Sequence, residues 1–223
     1  MHFRGLLFYA LLPCALVAQA PAQTDSFIDH GTLKIMIGAQ VLGTERFDIE
    51  TAGDGYRMKG DLKLKMPNGA DATESSVMNL NRDFIVTSYT RLQKSPKKAS
   101  IQVDIVAGQA KAYYITPEGN KDFEYMLEPS LVILDTNFFH HFALLVRRYD
   151  FKKGGAQHIQ VLIPQEAQPG MMLVENAGKD EGYDKLVAKT DTVEIQIWCD
   201  SGRKLVKMAV PAAKVEIVRD TKN

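Results

Sequence analysis

The sequence has only two cysteines, one tryptophan and no excess of charge of either sign. Two cysteines cannot build a disulfide-rich framework or a zinc site with several thiolate ligands. Because 27 basic residues balance 27 acidic ones and no long basic run occurs, the chain has no electrostatic footprint for nucleic acid. A hydrophobic content of 45% is too high for a disordered chain. These absences leave an ordinary folded protein of 223 residues.

Residues 1–22 have the layout of a cleavable secretory signal. A basic start precedes an apolar run from Gly5 to Val17, and small residues follow up to Ala22. The run is too short to span a bilayer as a stable anchor. We therefore expect export to the periplasm or the cell exterior, cleavage before Gln23, and no transmembrane segment in the mature chain.

Cys14 offers an alternative, a lipoprotein whose lipidated cysteine becomes the first residue and tethers the protein to a membrane. Pro13 stands where that signal requires a small residue, so we favour the cleaved, untethered form. Cleavage also leaves Cys199 as the one remaining thiol, which makes an internal disulfide impossible. Since Cys199 ends an apolar stripe, we predict that its thiol is buried and unreactive.

From Asp29 onward, apolar and polar residues alternate with the period of two that is typical of strands with one buried and one wetted face. The segment from Tyr56 to Met66 is the clearest case. About a dozen such segments are joined by short turns, so neighbouring strands are expected to be antiparallel. We predict a mainly β protein: one large curved antiparallel sheet, a half-open barrel or clam, in a single domain over residues 23–223.

One segment breaks this alternation and predicts a single helix over about 137–149. Asp135-Thr136-Asn137 offers side chains for capping its start, and Arg147 and Arg148 fall in its last turn. Its apolar stripe at helical spacing consists of Phe138, Phe139, Phe142, Leu145, Val146 and Tyr149. We expect this stripe to pack on the concave face of the sheet, where the helix would plug or line the opening.

Few residues point to catalysis. Adjacent helical residues project about 100 degrees apart, so His140 and His141 cannot bind one metal ion together. We expect one ring in the core and the other in solvent. The sequence contains no nucleophile elbow, no phosphate loop and no dinucleotide fingerprint. We therefore predict no catalytic residue, no metal site and no cofactor.

Methionine and aromatic side chains point instead to an adaptable apolar lining for a ligand. The candidate ligand-binding residues are Phe138, Phe139, Phe142, Leu145, Met58, Met208 and Trp198. The alternative is that these side chains are ordinary core filler.

Two segments carry a resemblance to known proteins. Val41 to Phe47 contains a Gly-x-Glu strand, and the final hairpin runs from Gly202 to Met208 and on through Pro211 and Val215-Glu216 to Arg219. These segments resemble uncharacterised secreted bacterial proteins of unknown-function families. The architecture is similar to the half-open barrels of lipoprotein carriers and receptors in the bacterial envelope. The resemblance implies this fold and location, and it assigns no activity and no functional residue.

Three functions stay open at this point. The first is a non-enzymatic envelope protein that shelters a lipid or another apolar ligand between sheet and helix. The second is a structural or assembly module that binds another envelope protein through a strand edge or the wetted face. The third is a hydrolase that uses His140 or His141 with acids brought near by the fold. The space beside the helix distinguishes a carrier from a packed scaffold.

Overall fold

The computed structural model describes residues 27–66 and 69–221. The predicted signal at residues 1–22, including Cys14, lies outside the described residues. The first eight strands are β1 Asp29–Ile37, β2 Gln40–Ala52, β3 Gly55–Lys65, β4 Asp71–Leu80, β5 Val86–Ser95, β6 Ala99–Val106, β7 Gln109–Thr116 and β8 Gly119–Met126. The remaining strands are β9 Val132–Ile133, β10 Gln157–Ile163, β11 Gln168–Asp180, β12 Tyr183–Lys189, β13 Glu194–Cys199, β14 Leu205–Val210 and β15 Val215–Arg219.

All fifteen strands of the described residues belong to one sheet, which confirms the prediction of a large curved antiparallel sheet. Its order is β8-β7-β6-β5-β4-β3-β2-β1-β15-β14-β13-β12-β11-β10-β9. Pairing of β1 with β15 joins the two halves, with Leu33 opposite Arg219 and Ile37 opposite Val215. The short strand β9 departs from the antiparallel pattern and runs parallel to β10. Within residues 27–66 and 69–221 the sheet is open, since β8 and β9 stand at its two ends.

The alternation predicted for residues 56–66 is present in β3. Met58 and Leu62 are buried, while Asp61 and Lys63, on either side of Leu62, are exposed. Each inward side chain meets inward partners on the neighbouring strands, as Met58 does opposite Ile49 and Met78. Because one face of each strand is buried in this way, the hydrophobic pattern fixes the register of the sheet.

The single predicted helix lies within the curve of the sheet in two short parts, a 3-10 turn over Phe139–His141 and the helix α1 over Phe142–Arg148. Together they start two residues later and end one residue earlier than predicted. Seven residues are too few for a helix that is stable on its own in water. Burial of Leu144 and Leu145, both 0% exposed, therefore holds α1 in place.

The predicted capping of this helix was wrong. In the part of the chain that the structure describes, no side chain caps the start of the 3-10 turn, whose flanking residue is Phe138. The Asn137 side chain instead donates to Glu74, and the Asp135 carboxylate accepts from Tyr89. The polar residues before the helix thus bind core partners on the strands and leave the helix end uncapped. Within the described ranges, no helix is both long and apolar enough to cross a membrane.

Strand direction places the turns at two opposite ends of the sheet. The turns after β10, β12 and β14, at 164–167, 190–193 and 211–214, all lie at one end, which we call the cavity end. The turns after β2 and β4, at 53–54 and 81–85, lie at the opposite end.

Candidate functional site

A cavity of about 430 Å³ opens at the cavity end, between the helical segment and the second half of the sheet. Phe139 and Phe142 line it from the helical segment, and Met208 lines it from β14. Most of the remaining wall is also apolar and includes Val161, Met172, Ile195 and Val210. The space beside the aromatic stripe is therefore open, and a molecule with an apolar body fits its chemistry.

A missing side chain in β11 helps to keep this space open. Gly170 stands directly opposite Val161 on β10, so the two positions share the face that lines the cavity. A Cβ atom added at Gly170 would have no atom within 4 Å. The chain therefore leaves open space around this position of the cavity lining.

The structure brings three of the seven predicted ligand-binding residues together at this cavity, namely Phe139, Phe142 and Met208. Three others do not line it. Phe138, Leu145 and Met58 are each 0% exposed and belong to the packed core. The predicted set thus divides into a cavity wall and a core layer beside it.

Trp198, the seventh predicted residue, lies on the other face of the sheet. It stands opposite Lys185 on β12 and Lys207 on β14, and both ammonium groups lie over its ring. Its indole N–H donates to Asp180 at 3.1 Å. The inward position beside it belongs to Ile197. Trp198 therefore contacts cations outside the curve of the sheet and does not touch the cavity.

Next to the cavity, a buried carboxylate holds the 3-10 turn against β2. Glu45 accepts a hydrogen bond from Nδ1 of His140 and also from the backbone N–H groups of Phe139, at 2.8 Å, and His140, at 3.3 Å. Glu45 is 0% exposed. The helical residue Phe139, which lines the cavity, is thus positioned by a charge-assisted bond to the sheet.

Both histidines are buried, so the prediction of one ring in solvent was wrong. His140 and His141 are 1% and 0% exposed, because the tight 3-10 turn presses both rings against the strands. The rings meet edge to face with centroids 4.5 Å apart. Nδ1 of His141 accepts the backbone N–H of Asp135 at 3.4 Å, which places the proton of the neutral ring on Nε2.

A second polar network lies on the other side of His141. Tyr89 on β5 donates its hydroxyl to Asp135 at 2.5 Å. Arg91 lies 3.8 Å from the same Asp135 oxygen and 2.7 Å from Glu74 on β4. The side-chain amide of Asn137 donates to both Glu74 oxygens at 3.1 Å. Asp135 and Glu74 therefore each have two polar or charged partners, as buried charges require.

Burial changes the acidity of three groups in these networks. It raises the pKa of the Tyr89 hydroxyl, and the negative Asp135 raises that pKa further. It also raises the pKa of Asp135, although the Tyr89 hydrogen bond and the Arg91 charge act in the opposite direction. Burial lowers the pKa of His141 well below its ordinary range, and His140 lowers it further. His141 is therefore neutral near pH 7.

These networks contain the residue types of an acid-base site, but among the described residues neither histidine Nε2 atom is hydrogen-bonded to a hydroxyl. Ser76 on β4 stands opposite Gly60, the position against which His140 packs. Its hydroxyl and both histidine Nε2 atoms have no hydrogen-bond partner among the described residues. A general base must reach its nucleophile within about 3.2 Å. The described residues also bring together no group of three or more His, Cys, Asp or Glu side chains fit to hold a metal ion.

The sequence analysis missed the acids and the tyrosine of these networks. A local signal exists for Glu45, which shares the inward face of β2 with the apolar Phe47 and Ile49. Glu74 on β4 likewise shares its face with Met78. A carboxylate at an inward position predicts a buried partner, because an unpaired charge there is too costly.

Comparison with known proteins supports the fold alone. No family model and no curated protein matches this sequence. Among solved structures, the chain is similar to a beta-barrel-like protein of the domain of unknown function DUF1849 from Brucella abortus. The TM-score is 0.56 at 8% sequence identity, and the match covers 86% of this chain and 94% of that one. The molecule therefore has a β-barrel-like fold that also occurs in a bacterial protein of unknown function.

Proposed function

We propose that this protein is a non-enzymatic binding protein of the bacterial envelope that shelters an apolar chain, such as that of a lipid, in the cavity beside Phe139, Phe142 and Met208. The observation that carries the proposal is this open space of about 430 Å³ with an apolar wall. Its size falls within the range of about 300–1,000 Å³ that small-molecule sites occupy.

The entrance has the features that an apolar ligand needs. Met171 and Val193 line the cavity and are 49% and 41% exposed, so apolar surface continues from the interior to the rim. A ligand that covers this surface removes it from water. Each 100 Å² of apolar surface buried in this way contributes roughly 2.5 kcal/mol to binding. The cavity wall and its rim together thus provide a driving force for uptake.

Filling the cavity tests the proposal. Gly170→Phe adds a ring opposite Val161 on the face that lines the cavity, at a position where a Cβ atom would meet no atom within 4 Å. We expect the wild type to bind the neutral probe N-phenyl-1-naphthylamine saturably and Gly170→Phe to bind it at least tenfold more weakly. Ile115→Phe, at a position on β7 that is 54% exposed and outside the cavity, is the matched control and should bind normally. Absence of saturable binding to the wild type would sink the proposal.

Export is a separate part of the proposal and rests on residues 1–22. Their basic start, short apolar run and small residues favour secretion and cleavage before Gln23. Intact-mass analysis of the protein from the periplasmic fraction of its host should give a chain that starts at Gln23. A chain that retains Met1, or one lipidated at Cys14, would contradict this part alone.

A second candidate function is an assembly module, which the end of the sheet favours. Strand β8 ends the sheet and pairs only with β7 among the described residues. Met126, the last residue of β8, and Val106, the last residue of β6, are 73% and 74% exposed. A free edge with exposed apolar side chains can accept a strand from a partner. A photo-crosslinker at Lys121 on β8 should then capture one dominant envelope protein that a crosslinker at Asp54 does not capture.

A further inference from the structure

We infer that the ligand is an amphiphile with a hydrocarbon chain and a cationic head, and that the head lies at the cavity rim beside Glu166 and Asp191. This inference rests on the proposed function and adds the chemical class of the ligand. The chain would fill the apolar cavity, while the rim selects the charge of the head.

The two acids reach the rim from separate turns of the cavity end. Glu166 ends the short 3-10 turn Pro164–Glu166 between β10 and β11, and Asp191 lies in the turn between β12 and β13. Both residues line the cavity, and both are exposed. No ion pair joins either of them to a basic side chain among the described residues. Two negative charges are therefore available to a ligand at the entrance.

The ionisable side chains that line the cavity are all acidic. They are Asp135, Glu166 and Asp191, and the lining contains no Lys, Arg or His side chain within residues 69–221. Asp135 lies at the inner end, where it is 1% exposed and already bound by Tyr89 and near Arg91. The positive charge of Arg91 thus offsets that of Asp135, so Glu166 and Asp191 are the acids that act on the ligand.

Basic side chains on neighbouring strands and turns are paired elsewhere or lie outside the lining. Lys97, which lines a neighbouring pocket together with Gln165, lies 3.8 Å from Glu118. Lys189, at the end of β12, lies 3.2 Å from Glu175 and 3.6 Å from Glu194. Lys214 lies in the neighbouring turn after β14 and does not line the cavity. The cavity lining itself therefore carries negative charge only, within residues 69–221.

A negative rim distinguishes between amphiphiles whose hydrocarbon chains are identical. An anionic head, such as the carboxylate of a fatty acid, is repelled by Glu166 and Asp191, whereas an ammonium head is attracted. Each exposed pair has a small effect, but attraction of one head and repulsion of the other by two acids add together. At low salt we expect about tenfold tighter binding of the cation, and this ratio falls as salt screens the charges.

Three twelve-carbon ligands test the inference by displacing N-phenyl-1-naphthylamine at pH 7: dodecylamine, dodecanol and dodecanoate. In the wild type at low salt, dodecylamine should bind most tightly, dodecanol next and dodecanoate about tenfold more weakly than the amine. In high salt the three affinities should converge. The double variant Glu166→Gln/Asp191→Asn should bring amine and dodecanoate within about twofold of each other.

The matched control also removes two negative charges, but at the opposite end of the sheet. Asp54→Asn/Asp83→Asn changes exposed acids in the turns after β2 and β4 and should keep the wild-type preference. Dodecanoate binding as tightly as dodecylamine would overturn the inference and leave the proposed function standing. Equal affinity of dodecanol and dodecylamine would also overturn it, because the rim would then exclude anions without favouring cations. Failure of the wild type to bind the probe at all would instead overturn the proposed function.

Discussion

Glu45 and His140 form a fully buried pair that joins β2 to the turn before α1, across 95 residues of sequence. The same carboxylate accepts two backbone N–H groups, one of them from Phe139. Phe139 in turn lines the cavity. One acid on the sheet therefore satisfies the uncapped start of the helical segment and positions a cavity wall.

Removing this acid should destabilise the protein strongly. Glu45→Ala leaves the His140 ring and two backbone N–H groups buried without an acceptor, which costs about 3–5 kcal/mol of unfolding free energy. Glu45→Gln keeps one acceptor oxygen and the shape of the side chain, so it should cost less. Urea denaturation followed by circular dichroism measures both values. A loss below about 1 kcal/mol for Glu45→Ala would show that the pair contributes little.

A methyl group at Gly60 should disturb the same contact. A Cβ atom there would lie 2.6 Å from Cε1 of His140 and 2.8 Å from Cδ1 of Phe138. Gly60→Ala is therefore expected to lower the unfolding free energy by about 1–3 kcal/mol through overpacking. Gly170→Ala is the matched control, since its Cβ meets no atom within 4 Å. The control should leave stability unchanged or raise it by up to about 1 kcal/mol, and similar losses in both variants would contradict the packing argument.

The sheet was predictable because its signal is local. Alternation along a strand such as β3 and short turns between strands specify antiparallel neighbours without knowledge of the partner. The helical segment was found in the same way, from the apolar spacing of Phe138, Phe142 and Leu145. Its exact bounds depend on the contacts of the polar residues before it, and those partners lie on distant strands.

The candidate site was only partly predictable, because a cavity depends on what is absent from a face as well as on what is present. Phe138 and Phe139 are adjacent and equally apolar, yet Phe138 fills the core and Phe139 lines the cavity. Only the packed structure separates them. Trp198 shows the complementary case, since its alternation with Ile197 placed it on the outer face, where two lysines cover it.

The thiol of Cys199 should resist alkylation in the folded protein. The structure confirms that this side chain is buried, and burial raises its pKa from 9.0 to about 12, with Asp184 contributing to the increase. The thiolate fraction at pH 8 is therefore about 1,000-fold lower than in the unfolded chain, and the sulfur is also enclosed. Iodoacetamide labelling of the Cys199 peptide, quantified by mass spectrometry with and without urea, measures this difference. Comparable rates in both conditions would show that the thiol is accessible.

His141 should make the protein less stable as the pH falls below about 6.5. Burial and the neighbouring His140 hold the pKa of His141 well below the ordinary value of 6.5. At a pH between the pKa of native His141 and the ordinary value of 6.5, the unfolded chain binds a proton at position 141 that the native ring does not accept. The unfolding free energy therefore falls as pH falls, by up to about 1.4 kcal/mol per pH unit. Above pH 6.5 both states are neutral at this position and the effect vanishes.

Asp135 contributes with the opposite sign and has to be separated from His141. Its pKa is raised above 3.8 by burial, so the native carboxyl takes up a proton at a higher pH than the unfolded chain and gains stability as pH falls through that window. His141→Gln keeps an acceptor for the Asp135 N–H and leaves Asp135, Tyr89 and His140 in place. Subtracting the stability of His141→Gln from that of the wild type therefore isolates the histidine. As the pH falls from 6.5 to 5.5, the wild type should lose about 1 kcal/mol of unfolding free energy relative to His141→Gln, measured by urea titrations. A difference that stays constant with pH would mean that the native ring is protonated as readily as the unfolded one.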